Sequence, residues 1–446
     1  MWRNPAAVVA LSAALATPAL AAGGPGEAPG ADGELRLYMV GNSLTDGLKH
    51  AKFNDIAESR HGAGSMTWGH HVIWGTPLDY MWEHGQPHDD NGNGVIGDNE
   101  EETLGGTSSR GPNEFISASP NGIKPEDPFR FWQFLPNNQL DAVSIQPFDR
   151  RGSSDYGSVT RFANLLKLDE GNVNDEGKVT TDVYLMAQWN TRPQIKREVG
   201  GETKTVGHGT LDFAAEYRDG IYTGDYAANN TRRQAYYHGL VERLNDPDGR
   251  GKPDWGTNAP SGSTTDFPDT VKWGENRAQD LSLTPLTELL DAPVKLVPVG
   301  DAFLAFELLL QAEVDAGTPI AEVETKYGLV DTGSSENATP EQVAEFDNTG
   351  DRYFVEHFYT DSTHLNAQGQ YFQALVYYAT LYGQDPAGLV PQNGTFTPAF
   401  ETAAQTLAWE TVNGHPLTGV NVAVPEPTTV GAAAAFGGLM LLRTGR

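Results

Sequence analysis

Apolar and polar segments alternate along this chain in a way that predicts strands and helices in turn. Short apolar runs, typical of buried strands, occupy residues 35–40, 66–73, 141–146, 182–189 and 293–299. Helices are predicted at residues 44–59, 231–244, 302–314 and 366–382, and the last is the clearest because its apolar residues recur at helical spacing. This alternation predicts an α/β protein, in which a mostly parallel five-stranded sheet is covered by helices on both faces, as three α/β/α layers.

Four long segments carry little hydrophobic periodicity. They cover residues 100–128, 191–228, 245–290 and 316–352, and we expect them to be loops or insertions. The 50 glycines and 28 prolines of the chain also indicate a loop-rich protein.

The first predicted strand ends in a polar turn, Gly41-Asn42-Ser43. Open α/β sheets bind ligands at the carboxyl ends of their strands, so the Ser43 hydroxyl would lie at such an edge. Backbone N–H groups at the start of the following helix can stabilise a developing oxyanion. The alternative is that Ser43 only caps this helix, because Ser is a favoured N-cap residue.

A second candidate segment precedes the predicted helix at residues 366–382. Asp361 and His364 stand three residues apart in this segment. A Ser nucleophile needs a base to take its proton and an acid to orient that base, and one Asp-x-x-His loop can supply both. Asp and His also occur at this spacing by chance in many proteins.

The two segments together resemble the SGNH (GDSL-type) hydrolase family. Residues 41–45 read GNSLT and residues 361–364 read DSTH, in the order of the two family blocks, and the resemblance spans residues 34–420. It implies a flavodoxin-like hydrolase domain that cleaves esters, with Ser43 as nucleophile, His364 as base and Asp361 as its orienting acid.

The same resemblance implies further oxyanion donors. Family members place a Gly after the second strand, and Gly75 is the candidate by position, although a Gly at such a turn also serves a positive φ. The family motif Gly-x-Asn-Asp after the third strand is missing. Gln146 stands there instead, and its amide offers the same N–H donor as Asn. The alternative for Gln146 is a strand-end side chain hydrogen-bonded to backbone.

Residues 89–100 fit the twelve-residue EF-hand calcium loop. The pattern has Asp89, Asn91 and Asn93 at positions 1, 3 and 5, the Val95 carbonyl at position 7 and Glu100 at position 12. The flanks do not predict a helix pair, so we expect a lone inserted loop that binds a structural Ca²⁺. The alternative is an acidic, Gly-rich surface loop. A second acidic segment, at residues 246–254, has Arg250 where a calcium repeat would have a carboxylate.

The charge and the cysteine content of the chain exclude some classes of partner and of stabilising site. The 30 Lys and Arg against 59 Asp and Glu give a formal net charge of −29, which opposes nucleic-acid binding because that binding rests on neutralising phosphates. Cys is absent, so neither disulfides nor thiolate metal sites can stabilise the fold. No cofactor is expected for catalysis itself.

Both ends read as targeting segments outside the fold. Residues 1–21 combine Arg3, an apolar stretch and an Ala19-Leu20-Ala21 cleavage site, the pattern of a signal peptide, and residues 22–33 form a Gly/Pro-rich linker. Residues 421–446 resemble the bacterial PEP-CTERM sorting signal, with a Pro-Glu-Pro motif, a short apolar run and a basic tail. That run is shorter than the roughly 20 residues of a membrane span. We therefore expect transient membrane contact, a sorting machinery as partner, and a secreted or cell-surface location.

These observations lead to one main expectation and one alternative. The expectation is a secreted serine hydrolase acting on carboxylic esters, for which an O-acetylated polysaccharide is a candidate substrate; neither acyl group nor alcohol follows from the sequence. The alternative is a catalytically inactive surface protein of the same fold or a calcium-dependent glycan-binding protein, which the missing Gly-x-Asn-Asp motif favours.

Overall fold

The structure is a computed structural model. It describes residues 28–72, 77–84, 114–117, 131–147, 152–191, 194–199, 202–208, 212–218, 234–247, 269–273, 278–329, 354–361 and 363–420.

A six-stranded sheet organises these residues. The described ranges contain ten strands, six of which form this sheet. They are β1 (Leu35–Gly41), β2 (Met66–Val72), β3 (Glu114–Ser117), β4 (Ala142–Ile145), β5 (Asp182–Met186), β6 (Gln194–Val199), β7 (Glu202–His208), β8 (Thr270–Trp273), β9 (Gln279–Ser282) and β10 (Lys295–Val297). The sheet has the order β10-β5-β4-β1-β2-β3, in which β3 alone is antiparallel to its neighbour. The pairs β6–β7 and β8–β9 form separate two-stranded sheets. The prediction of an α/β fold with a mostly parallel sheet is confirmed.

Helices cover both faces of this sheet. They are α1 (Gly47–His50), α2 (Phe53–His61), α3 (Leu78–His84), α4 (Phe131–Phe134), α5 (Gly152–Leu166), α6 (Gln234–Leu244), α7 (Leu286–Leu289), α8 (Val299–Asp315), α9 (Ile320–Tyr327), α10 (Ala367–Tyr382) and α11 (Pro398–Gly414). Short 3₁₀ turns occupy Leu135–Asn137, Glu170–Asn172 and Phe354–Phe358, and a π-helical turn occupies Ala214–Arg218. Helix α10 is buried almost all round.

The period of two along β1 divides the interior into two cores. Leu37 and Met39 pack with α1, α2, α8, α10 and α11 on one face. Tyr38 and Val40 point the other way and pack with α3, α5 and α6. The helices after β1 and after β4 thus lie on opposite faces, and a crevice opens between the carboxyl ends of these two neighbouring strands.

Several local predictions were wrong. Residues 44–59 form two helices rather than one, because Lys52 adopts a left-handed conformation with φ 55°. This break lets both Ala51 and Phe53 enter the core while Lys52 stays exposed. Segments expected to be loops contain β3, the two hairpins, α7 and α9. The pairing of β3 with β2 adds a sixth strand to the predicted five.

No helix of the described ranges is long and apolar enough to cross a membrane. The predicted signal peptide, calcium loop and sorting signal lie outside the described residues, as does most of the acidic segment at 246–254.

Candidate active site

Ser43 stands on a tight turn directly after β1. Gly41 ends the strand, and any side chain there would overlap the Thr45 hydroxyl and the Gln146 amide, so this position requires Gly. Asn42 is buried and accepts a hydrogen bond from Leu44 N through Oδ1 at 3.1 Å. The short helix α1 begins only at Gly47, so turn amides rather than a helix start surround Ser43.

Gln146, at the carboxyl end of β4, holds this turn in place. Its Oε1 accepts from Asn42 N and Thr45 N, each at 3.0 Å, and from Thr45 Oγ1 at 2.5 Å. Its Nε2 donates to Asn42 Oδ1 at 2.6 Å. The side chain is 1% exposed, so the turn is locked to β4 by a buried network.

His364 and Asp361 lie on one short loop before α10. Tyr359 and Leu365 form an isolated antiparallel bridge, and Thr360 N donates to His364 O at 2.8 Å, so the loop is closed at its base. Asn366 then caps α10, its Oδ1 accepting from Gly369 N at 3.1 Å.

Two hydrogen bonds connect this loop to the segment that follows β5. Trp189 Nε1 donates to Thr363 O at 2.9 Å, and Tyr359 Oη donates to Asn190 O at 2.5 Å. Both rings are almost fully buried. The loop bearing Asp361 and His364 is therefore tied to the same sheet edge that carries Ser43.

The three predicted triad residues meet in one line of hydrogen bonds. His364 Nε2 lies 2.8 Å from Ser43 Oγ, and His364 Nδ1 lies 2.6 Å from Asp361 Oδ2. These distances are those of a nucleophile, a base and an orienting acid already in contact.

The charge on Asp361 sets the tautomer of His364. Partial burial works to raise the pKa of Asp361, but the hydrogen bonds from the imidazole and from the backbone of His364 and Thr363 outweigh it and lower this pKa to about 2. The two backbone N–H groups reach Oδ1 at 2.7 and 2.6 Å. An ionised Asp361 accepts from Nδ1–H, so the Nε2 lone pair of neutral His364 faces the Ser43 hydroxyl.

Of the three predicted oxyanion donors, Ser43 and Gln146 lie within the described residues and Gly75 does not. Within the described ranges, the Ser43 backbone N–H donates to no protein acceptor. Gly75 lies outside the described residues. The Gln146 amide braces the turn through backbone N–H groups, which is the alternative that the sequence left open, and its oxyanion role stays a prediction.

A cleft of about 340 Å³ opens beside Ser43 and His364. Its walls include Asp46, His50, Trp189, Thr360 and Gln370. His50 Nε2 lies 3.3 Å from Asp46 Oδ2 across one turn. Volumes of this order are typical of small-molecule pockets, and polar groups among apolar ones fix the orientation of a ligand.

The predicted calcium ligands Asp89, Asn91, Asn93, Val95 and Glu100 lie outside the described residues. Sequence reasoning missed the positioning contacts of Asn42, Thr45 and Trp189, because hydrogen bonds between distant segments leave no local pattern. It also missed a cluster of His238, Asp301 and His415 on three separate elements.

Comparisons with known proteins give little further support. No protein-family profile matches the chain, and no curated protein matches it. A crystal structure of a DUF4886 family protein from Bacteroides uniformis is similar over 85% of this chain and 95% of that one, with 11% identity and a TM-score of 0.37. A similarity this weak carries no argument about function.

Proposed function

We propose that this protein is a serine hydrolase of SGNH type that cleaves carboxylic esters. One observation carries the proposal, the continuous contact of Ser43 Oγ with His364 and of His364 with Asp361. A buried network positions the nucleophile and a separate set of anchors positions the base, so the arrangement is held from both sides.

The proposed reaction follows the order of these contacts. Ser43 Oγ attacks the acyl carbonyl while its proton passes to His364 Nε2, and Asp361 stabilises the imidazolium that forms. The Ser43 N–H, joined by Gly75 in this proposal, receives the oxyanion. His364 then gives the proton to the leaving alcohol. Water, activated by the same imidazole, cleaves the acyl-enzyme and restores Ser43.

The cleft supports a polar alcohol as the leaving group. His50, Thr360 and Gln370 carry hydrogen-bonding groups beside the nucleophile. Hydroxyl-rich molecules such as O-acetylated carbohydrates can pair with these groups. We include polysaccharide deacetylation in the proposal on this basis.

One observation favours the alternative, a non-catalytic protein of the same fold. The amide that replaces the missing family Asn is engaged in the turn, with Nε2 of Gln146 on Asn42 Oδ1. A protein with too few oxyanion donors could bind an ester or a glycan without cleaving it. Only an activated Ser reacts with a fluorophosphonate, so that reagent separates the two functions.

The decisive experiment treats the purified protein with a fluorophosphonate probe and with p-nitrophenyl acetate. Wild-type protein should label once and hydrolyse the ester, whereas Ser43→Ala should do neither, with a loss on the order of a million-fold in kcat by analogy with nucleophile removal in subtilisin. Ser59→Ala, on helix α2, is the matched control and should behave as wild type. A folded wild-type protein that neither labels nor turns over the ester would favour the binding function.

We also propose that the protein is secreted and processed at both ends. Removal of residues 1–21 and of the segment from 421 would leave the described domain intact. Intact mass of the protein recovered from culture medium tests this directly. A mass that still includes residues 1–21 would contradict it.

A further inference from the structure

Three side chains from distant elements converge at a second place on the carboxyl edge of the sheet. His238 lies on α6, Asp301 in the first turn of α8, and His415 directly after α11. His238 Nε2 is 3.0 Å from His415 Nε2 and 3.2 Å from Asp301 Oδ1. One ligand atom from each of the three lies within 4.8 Å of the others.

These distances match the spacing of ligands around one metal ion. Zn²⁺ binds imidazole N and carboxylate O at about 2.0–2.1 Å, so two ligands of a tetrahedral site stand about 3.3 Å apart. The two measured separations that involve His238 Nε2 are close to this value. Without an ion, the contact between the two ring nitrogens is a hydrogen bond in which one Nε2–H donates to the other Nε2.

The burial of the Asp301 carboxylate is a second observation that points to a metal ion. Asp301 is only 6% exposed. Its Oδ2 accepts a hydrogen bond from Tyr217 Oη at 3.2 Å. Its Oδ1 accepts from Gln234 Nε2 at 2.5 Å and lies beside His238 Nε2. None of these described partners carries a permanent positive charge. Buried carboxylates are normally paired with a cation or coordinate a metal, and a divalent ion would supply the missing charge.

The surroundings of the cluster suit a bound ion. Tyr217 and Gln234 orient the Asp301 carboxylate, as outer-shell partners do around metal ligands. The His238 side chain is 25% exposed, so an ion and a water can enter from solvent. The cluster follows β10, three strand positions away from β1 and Ser43, so it is separate from the candidate ester site.

We propose that His238, Asp301 and His415 bind one divalent transition-metal ion of the zinc type, with a fourth position open to water. Imidazole nitrogens select Zn²⁺, Co²⁺ or Ni²⁺ over Ca²⁺, which takes oxygen ligands. The ion joins helices α6 and α8 to the end of α11, three elements that are far apart in the chain. Its role is structural, and it does not depend on the ester chemistry proposed above.

Metal binding at this site is linked to protons. Leu417 N donates to His415 Nδ1 at 3.2 Å, which keeps the proton of neutral His415 on Nε2. Coordination through Nε2 requires that this proton move to Nδ1 and that the Leu417 N hydrogen bond break, so the hydrogen bond competes with the ion. Metal affinity should also fall at acidic pH, because an imidazole must be unprotonated at the nitrogen that coordinates.

The test uses untagged, full-length protein stripped with chelator and titrated with Co²⁺. Wild type should bind one equivalent, develop the visible d–d bands of a tetrahedral N/O site, and lose them on addition of Zn²⁺ but not of Ca²⁺. Zn²⁺ should also raise the melting temperature. Because the chain has no Cys, thiolate ligands cannot produce the signal.

Variants assign the signal to these residues. His238→Gln and His415→Gln should each abolish the cobalt bands and weaken binding by more than the roughly 10- to 100-fold that an outer-shell loss costs. Asp301→Asn keeps the side-chain size and serves if a His variant fails to fold. His50→Gln removes another imidazole that faces a carboxylate and should bind cobalt as wild type does.

Three results would overturn the proposal. The first is that wild type shows neither cobalt bands nor a Zn²⁺-dependent shift in melting temperature. The second is that folded His415→Gln binds cobalt with wild-type affinity. The third is that Ca²⁺ displaces the cobalt, which would place the ion in a loop of oxygen ligands.

Discussion

His364 Nε2 lies 2.8 Å from Ser43 Oγ, although 321 residues separate them in the chain. The first strand of the sheet delivers the hydroxyl, and the loop before α10 delivers the imidazole. Their contact needs no movement of the backbone. The proposed catalytic unit rests on this contact.

The orienting acid should be required for turnover but not for folding. Asp361→Asn removes the charge that fixes the His364 tautomer, and the analogous change in serine proteases lowers kcat by about 10⁴-fold. We expect a similar fall in steady-state hydrolysis of p-nitrophenyl acetate. Asp385→Asn, on the loop after α10, is the control and should keep wild-type kcat. Near-normal turnover by Asp361→Asn would remove Asp361 from the triad.

The Gln146 network should matter to both stability and rate. Gln146→Leu leaves Asn42 N without its described acceptor, and an unpaired buried group of this kind costs about 1–3 kcal/mol. Thr45 N keeps Asn42 O as an acceptor, and Asn42 Oδ1 keeps Leu44 N as a donor. Urea denaturation should show a lower free energy of unfolding, and kcat should fall at least tenfold as the Ser43 turn loosens. Gln139→Leu, a surface Gln at the opposite end of β4, should change stability by less than about 0.5 kcal/mol. Equal effects of the two variants would contradict the bracing role.

The indole of Trp189 should act through the position of the loop. Trp189→Phe keeps an aromatic ring but loses the bond to Thr363 O, worth about 1 kcal/mol. We expect kcat to fall by roughly tenfold or less, with slower fluorophosphonate labelling. Trp409→Phe, on α11 and away from the cleft, should leave the labelling rate unchanged. Unaltered labelling in Trp189→Phe would show that the loop is held without this bond.

A buried carboxylate near the candidate catalytic loop, Glu307, should make stability depend on pH. Burial raises the pKa of Glu307 from 4.5 to about 7, although Gln311 and the Val355 backbone N–H donate to it. The folded state therefore holds this proton more tightly than the unfolded state. Its contribution to stability is complete below about pH 4.5 and is lost as pH rises to about 7.

Glu307→Gln should cancel this dependence. We expect the variant to be more stable than wild type at pH 8, by up to about 3 kcal/mol, and to differ little at pH 4.5. Glu313→Gln is a control of opposite sign on the same helix. Hydrogen bonds from Lys326 and Tyr327 outweigh burial there and lower the pKa of Glu313, so its loss should destabilise the protein at neutral pH. The prediction would be contradicted if the free energy of unfolding of Glu307→Gln, compared with that of wild type at the same pH, were less favourable at pH 8 than at pH 4.5.

The calcium loop predicted at residues 89–100 can be tested independently. Added Ca²⁺ should raise the melting temperature and chelator should lower it, because an ion that binds only the folded state stabilises it. Glu100→Gln removes the bidentate ligand of position 12 and should abolish the shift, whereas the neighbouring Glu101→Gln should not. Absence of any shift in wild type would leave an acidic surface loop.

The two segments of the candidate triad were predictable because their signals are local. An apolar strand that ends in Gly-Asn-Ser, and an Asp-x-x-His loop before a periodic helix, can each be seen in a few residues. Their meeting then follows from the parallel sheet, which brings strand ends to one edge. The role of Gln146 was not predictable, since the choice between bracing a turn and facing a ligand depends on its side-chain rotamer.

The missed elements have physical explanations. The sequences of β6 and β7 have no regular alternation of apolar and polar residues, so hydrophobic periodicity does not mark them, although Gly200-Gly201 between them is a known hairpin turn signal. Helix α11 was detectable from Thr397 and Pro398, an N-cap and first-turn pair. The cluster of His238, Asp301 and His415 shares no spacing at all, because tertiary packing alone assembles it.

The burial of α10 has a consequence for the lifetime of the assembled site. Nearly every residue from Gln368 to Tyr382 is shielded, so the amide protons of this helix can reach solvent only through openings that expose much of the core. We therefore expect α10 to exchange its amide protons far more slowly than the half-exposed loop that bears His364 and precedes it.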